Sequence, residues 1–528
     1  MLNEETNIKK NFKIYNGTEP YLFISYSHRD TNAVYKILTR LEEERFRFWY
    51  DDTMEIGNDF REELKTRIEN CGAFVLFISK ESMQSKYVGM EIITAFKNNK
   101  RIFPIYMEAD VEIPVVLNMI FDNLQHVKGY SIDENKGFID NLVNSLPVEN
   151  MHTLQIEDDV LVKCKDGREE IKLPDSVRVI AASAFKHCNK LEKITFSEKL
   201  EVIDGEAFRG CVNIKKIIIP RSVKTIGDSA FRDCISLHEL IVENGNIEIG
   251  ERAFENCPSL NVITLPDELM EIYGGIFNSC KMLEKIKLPE QLVILGESAF
   301  SSCVRLKKII IPQNVTKIDD LVFNGCIDLE EVELSSSVTK IGKYTFKDCT
   351  KLTKIKIPEN VYSIGISPFR GCKNLESIFV EPQNRYFKSV DGILFNKNRS
   401  VLICHPACKN TKKYEIPDSV TVISEWAFCE CTELAEISIP DTTHEIGEGA
   451  FYKCTALERI EVPDSVTKID DTVFRGCINL KEVIIPKSVI EFGWGLFNGC
   501  EDVVVVCDEG SAIALYCKKR NIKHRVRN

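Results

Sequence analysis

An α/β domain with a parallel sheet, followed by a long β-rich solenoid, is the architecture that the sequence predicts. Three observations carry this expectation. Up to about residue 150, short apolar runs alternate with stretches of helical spacing, the pattern of a doubly wound parallel sheet. Beyond about residue 156 this gives way to a repeat of 23 residues. Thirteen of the 20 cysteines occupy a single position of that repeat.

In the N-terminal region, Tyr21-Leu-Phe-Ile-Ser-Tyr26 is the first strand run. Val34, Ile37, Leu38 and Leu41 follow at helical spacing. Phe46-Arg-Phe-Trp-Tyr50 reads as a second strand, and Asp51-Asp52 through Gly57 as a loop. Phe60, Leu64 and Ile68 line the next helix. Ala73-Phe-Val-Leu-Phe-Ile-Ser79 is apolar enough to be a central buried strand. A helix over about residues 86–97 precedes Arg101-Ile-Phe-Pro-Ile-Tyr106, and a final helix is expected near 136–146. In sheets of this kind, ligands sit at the carboxyl ends of the strands.

The repeat is strict. Cysteines stand at 188, 211, 234, 257, 280, 303, 326, 349 and 372, and again at 431, 454, 477 and 500. Each follows a Phe by three residues, from Phe185 to Phe497, and precedes an aliphatic residue such as Leu191, Ile214 or Leu237 by three. A period of this size marks stacked units, none of which buries its apolar side alone. Leu352-x-x-Ile355-x-Ile357 gives a short strand. The Pro and Ser-Val-x-x-Ile that follow turn the chain into a second extended segment, and Ala-Phe-x-x-Cys closes the coil. Cys suits this last place as a small hydrophobe. The interval from Cys372 to Cys431 is more than twice the period. Its segment FKSVDGILFNKNRSVLICHPA predicts a β-hairpin insert near 380–415, in which Cys404-His405-x-x-Cys408 reads as incidental.

Composition narrows the function. A net charge of -12 without a basic face argues against nucleic acid as the partner. The opening segment MLNEETNIKKNFKIYNG lacks the apolar core of a secretory signal, and no apolar run approaches the length of a membrane span. The expected location is the cytoplasm, with the cysteines free. No Cys-x-x-Cys pair occurs and the eight histidines are scattered, so no metal is expected. There is neither a G-x-x-x-x-G-K-[ST] loop nor a G-x-S-x-G elbow.

Over about residues 156–505, the recurrence of Phe-x-x-Cys-x-x-Leu with Ile-Pro-x-Ser-Val-x-x-Ile resembles the BspA-like class of leucine-rich repeats. YLFISYSHRD, FRFWYDDTMEIGNDF, AFVLFISKESMQSKYVGMEI and RIFPIYME resemble, in order, the characteristic segments of a bacterial-type TIR domain over residues 18–147. That resemblance implies a flavodoxin-like sheet. Residues 148–155 are then a short linker, and 506–528 a C-terminal cap.

The resemblance also implies chemistry. Many TIR domains are NAD+ glycohydrolases or ADP-ribosyl cyclases, with a catalytic glutamate in a Ser-x-x-Ser-x-Trp-x-x-x-Glu segment. The matching residues are Ser82, Ser85, Tyr87 and Glu91, with Tyr87 in place of the Trp. Glu91 is then the catalytic residue, and Ser25, Tyr26, Ser27, Asp30, Ser85 and Tyr87 bind substrate. NAD+ is that substrate, and no separate cofactor is expected. Asp51, Asp52 and Gly57 correspond to a loop that contacts neighbouring TIR domains, without the Arg-Asp-x-x-Pro-Gly pattern of animal adaptors. The physics agrees: residues 87 and 91 stand i,i+4 on one helix. A carboxylate beside the ribose stabilises an oxocarbenium-like state.

On the repeat strands, Ile218, Ile241 and Val262 form an apolar patch, a candidate partner face. Branched residues also simply suit strands. The expectation is a cytoplasmic sensor–effector. Its repeats bind an unknown protein, its TIR domains assemble, and NAD+ is cleaved in immune or antiphage-type signalling. The alternative is a non-enzymatic TIR–TIR scaffold or a host-directed TIR mimic.

Overall fold

The computed structural model describes residues 12, 14–17, 20–43, 46–51, 58–108, 110–121, 127–128, 146, 154–164, 169–243 and 246–527. The chain divides into two compact units, Met1–Gln155 and Ile156–Asn528.

The strands of the first unit are β1 (Leu22–Ser25), β2 (Phe48–Tyr50), β3 (Ala73–Ile78), β4 (Ile102–Tyr106) and β5 (Val127–Lys128). They form one sheet in the order β2-β1-β3-β4-β5, parallel throughout. β3 is buried on both faces, as its unbroken apolar run requires. Its Val75 and Phe77 pack with Val34, Ile37, Leu38 and Leu41 of α1 (Thr31–Glu43). Its Phe74, Leu76 and Ile78 pack on the other side with Leu64 and Ile68 of α2 (Asn58–Asn70). Two short helices escape the periodicity reading, α3 (Lys80–Gln84) and α5 (Val115–Phe121). Between them runs α4 (Lys86–Lys97). The helix expected near 136–146 and the linker core 147–153 lie outside the described residues, apart from buried Leu146. The sequential order reverses between β1 and β3. That is the switch point at which open sheets of this order hold ligands.

In the second unit each regular coil gives a strand to one face and a two-residue strand to another. Lys216–Ile219 pairs in parallel with Glu239–Val242, and Thr225–Ile226 with Glu248–Ile249. Nine phenylalanines, Phe185 through Phe369, stack in one column with centroids 4.7–6.0 Å apart and interplanar angles of 1–21°.

The cysteines do more than fill space. Eleven of the thirteen thiols donate to the carbonyl of the Phe one coil back: Cys211 to Phe185 at 2.9 Å, Cys326 to Phe300 at 3.2 Å, Cys500 to Phe474 at 3.0 Å. The Phe carbonyl also accepts its own coil's Cys N–H, as Phe208 does from Cys211 at 3.1 Å. Both lone pairs are therefore used. Burial pushes these thiols up, to about 12 at Cys326.

The insert is a meander. Phe387–Val390 pairs antiparallel with Ile393–Asn396, which pairs antiparallel with Val401–Cys404. Val401–Cys404 then rejoins the solenoid by parallel pairing to Val422–Ile423. The structure corrects the reading of Cys404-His405-x-x-Cys408. His405 and Cys408 stand one full period before Phe428 and Cys431. His405 takes the Phe place of the repeat, whereas Cys408 is exposed and its N–H bonds the Leu375 carbonyl. The His405 ring stacks on Phe428 at 5.1 Å, and the His405 backbone N–H donates to the Ala427 carbonyl at 2.8 Å, as that of Phe428 does to Ala450. The ring is buried, its Nε2 has no hydrogen-bond partner, and burial pushes its pKa down to about 4. At the C-terminus, α6 (Ala512–Arg520) packs Ile513 and Cys517 against the last coil, and His524–Val526 pairs with Val505–Cys507.

The candidate partner face is uneven. Ile218 is 43% exposed and pairs with half-buried Ile241, whereas Val262 pairs with Glu239. Among the described residues, no helix is long and apolar enough to cross a membrane.

Two outcomes follow from the cysteine and histidine positions. Eighteen of the cysteines are buried, Cys404 is half-buried and Cys408 is exposed. A thiol reagent should therefore titrate about one fast thiol in the native chain, and Cys408→Ser should abolish that phase. The His405 pKa lies below its ordinary 6.5, so its stability contribution is complete above that pH and is lost as pH falls toward about 4. The loss is roughly 3 kcal/mol. Denaturant midpoints between those two pH values should fall for the wild type and fall distinctly less for His405→Phe.

Candidate active site

β1 ends at Ser25, and Tyr26-Ser27 leads into a single 3-10 turn, His28–Asp30, capped by the Ser27 side chain. β3 ends at Ile78, and Ser79 caps α3 in a reciprocal box with Ser82. Ser85 closes α3 and caps α4 in turn. These three serine caps set the register of α4, whose buried residues are Val88, Glu91, Ile92 and Ala95. Glu91 thus occupies a place on the apolar stripe of the helix, where spacing alone expects a core side chain.

The carboxylate lies at the carboxyl end of β1. Ser25 Oγ donates to Glu91 Oε2 at 2.5 Å, and both residues are buried, Glu91 at 8% exposure. Burial pushes the Glu91 carboxyl up to about 7. The Ser25 bond opposes the rise, the Asp51 charge adds to it, and His28 opposes it. Asp51, at the end of β2, has its carboxylate 3.8 Å from His28 Nε2.

A second bond joins the two loops of the switch point. Ser79 Oγ donates to Asp30 Oδ2 at 2.5 Å. Burial raises the Asp30 pKa, the Ser79 bond lowers it, and Glu108 and Glu81 raise it. Arg29 bridges to Glu81 at 2.6 Å on the outside.

Of the residues expected in the site, the structure joins Ser25 directly to Glu91. Tyr26 is buried, its ring edge-on to His28 at 5.6 Å. Ser27 and Ser85 serve as helix caps. Tyr87 is 46% exposed, so ring and carboxylate share α4 but differ in burial. Asp52 and Gly57 lie outside the described residues. Sequence reasoning passed over His28 and Ser79. The serines at 79, 82 and 85, each three apart just after a strand, were the available signal for Ser79. His28 had none beyond its place in the first loop.

Residues 155–284, 271–399 and 404–511 match the BspA-type leucine-rich repeat region, and residues 22–143 match the TIR domain. The chain belongs to the BspA-type leucine-rich repeat family, as a TIR–LRR fusion. Both modules are in general protein-interaction modules, and a TIR–LRR protein of this build has a signalling or recognition role. Similar solved structures include leucine-rich repeat proteins. One from Bacteroides ovatus is 29% identical, covering 68% of this chain and 84% of that one, with a TM-score of 0.43. A leucine-rich cell surface protein from Faecalibacterium prausnitzii is 24% identical, covering 69% and 94%, with a TM-score of 0.45. The pneumococcal vaccine antigen PcpA is 20% identical, covering 68% and 80%, with a TM-score of 0.40. No functionally curated protein matches the chain.

Glu91 makes the TIR domain pH-sensitive in a definite direction. Its folded pKa is raised from 4.5, so its stabilising share is complete below that value and is lost as pH rises through about 7. The loss is roughly 3 kcal/mol. Glu91→Gln should therefore raise the melting temperature of the TIR unit in the full chain at alkaline pH, and barely change it near pH 4.5.

Proposed function

We propose that the TIR domain cleaves the nicotinamide–ribose bond of NAD+, with Glu91 as the essential carboxylate. The observation that carries this is a buried carboxylate held by Ser25 at the β1/β3 switch point, where sheets of this order place their ligands. In the reaction the bond between C1′ and the pyridinium nitrogen breaks, and its electron pair leaves with neutral nicotinamide. The ribose carbon passes through an oxocarbenium-like state, which a nearby carboxylate stabilises. Water adds to C1′, and its proton passes to Glu91 and then to solvent. A ribose hydroxyl in place of water gives a cyclic product. NAD+ is the substrate, and no further cofactor takes part.

On this reading the repeats bind a target protein and gather TIR domains, so assembly acts by raising effective concentration. The setting is cytoplasmic immune or antiphage-type signalling. Ser25 then serves Glu91 directly, while Tyr26, Ser27, Asp30, Ser85 and Tyr87 shape or border the substrate site. One observation favours the second reading, a non-enzymatic TIR scaffold or host-directed mimic: Glu91 is only 8% exposed.

The deciding assay is NAD+ loss by the full-length chain, clustered on beads, against Glu91→Gln. We expect consumption by the wild type and none by the variant. Since the ionised carboxylate is the working form, turnover should rise about tenfold per pH unit below about 7 and level off above it. A folded, clustered wild type without turnover would leave the scaffold reading.

A further inference from the structure

Along the strand face the parallel ladder is interrupted after Lys193–Thr195, after Val262–Thr264 and after Glu331–Glu333, and at the second of these the core is uncovered. Val262–Thr264 pairs with Glu239–Ile241 on one side and is the edge of its three-stranded sheet. In the next coil, Lys285 keeps a single bridge, to Lys308 on its far side. The ladder resumes with Lys308–Ile310 paired to Glu331–Glu333. Elsewhere the two coils stay joined. Met282 N–H bonds the Pro258 carbonyl at 3.0 Å, and Val293 N–H bonds the Met270 carbonyl at 2.8 Å. The opening is therefore confined to one face.

It reaches the core. From Ile194 to Ile378 the core-facing position of this strand is at most 8% exposed, except at Ile263 and Ile286, which are half-buried. A cavity of about 630 Å³ lies here, with Val262, Ile263, Ile286, Leu288, Ile310 and Pro312 among its walls. Val262 and Ile310 are 48% and 52% exposed. Lys285, Lys287 and Lys308 line it against one acid, Glu290. Lys287 is paired with Asp267 and Glu290, and Lys308 with Glu331 and Glu333. Among the described residues, Lys285 has no ion pair.

We propose that this cleft binds an extended protein segment that presents an aliphatic side chain flanked by carboxylates. The proposal rests on the reading that the repeats recognise a protein, and it names the chemistry of that partner. The aliphatic group completes the burial that Ile263 and Ile286 lack. A carboxylate meets Lys285, whose charge is otherwise unanswered. The open edge of Val262–Thr264 offers N–H and C=O groups with which an extended backbone pairs. A fatty acid has the chain and the carboxylate but no backbone to use that edge, so a peptide is favoured.

The test uses the full chain and a short fluorescein-labelled peptide in which Glu alternates with Val and Ile, read by anisotropy. We expect saturable binding that Val262→Glu, Ile310→Glu and Lys285→Glu each weaken at least about tenfold. Phe379→Glu, at an exposed position of the same strand face outside the cleft, should leave Kd within about twofold. A peptide with Lys in place of Glu should not bind. The proposal is overturned by a wild type that fails to bind the acidic peptide, by a Phe379→Glu loss equal to the others, or by a cleft that takes dodecanoate and not the peptide. The probe reports on the cleft alone. A failure here, beside a target captured elsewhere on the array or intact NAD+ cleavage, counts against the cleft and not against the wider function.

Discussion

A single coil of this solenoid is too short to have an interior of its own, so the bonds that hold it in shape run to its neighbours. The Phe carbonyl shows how tightly this is enforced. At Phe185 and Phe300 it receives one backbone N–H from its own coil and one thiol from the next, so both lone pairs of a buried acceptor are used. Alanine would lack the donor at that position, and valine would lack it and add bulk. His405 shows the same constraint under stress. At the insert it still supplies a flat ring to stack and a carbonyl in place, at the cost of a buried Nε2 without a partner.

The TIR unit follows the opposite policy. Its central strand is as fully buried and apolar as the solenoid core, yet a carboxylate is placed on the buried stripe of α4 with Asp51 near enough to repel it. A sequence optimised only for folding would carry an apolar residue there. Keeping a group that destabilises the domain when ionised is a feature of sites where charge is needed during chemistry. The hydrogen bond from Ser25 is the compensation that lets the charged form exist at neutral pH.

How much of this was legible in advance depends on the range of each interaction. The cysteine period revealed the solenoid, because a repeat writes its spacing directly into the chain. The target of each thiol was hidden, since it lies 26 residues away across coils and spacing names no partner. His405 was open to the same counting, but the extra length of the insert broke the register before the count reached it. The burial of Glu91 could be read from Val88, Ile92 and Ala95, whereas the Ser79–Asp30 bond joins residues 49 apart from two different loops. The cleft left no trace, because Leu283-x-x-Ile286-x-Leu288 reads like the coils that stay closed.

The uniformity of the ladder also bears on how such a chain changes over generations. Every regular coil offers the same ring, thiol and carbonyl to the coil on either side. Removing or duplicating one period's worth of codons anywhere within a regular run rejoins identical partners and leaves no unmatched seam. The array can lengthen or shorten by recombination between near-copies of itself, while the TIR domain ahead of it is inherited unaltered. Recognition and response are in that sense separately heritable parts of one gene.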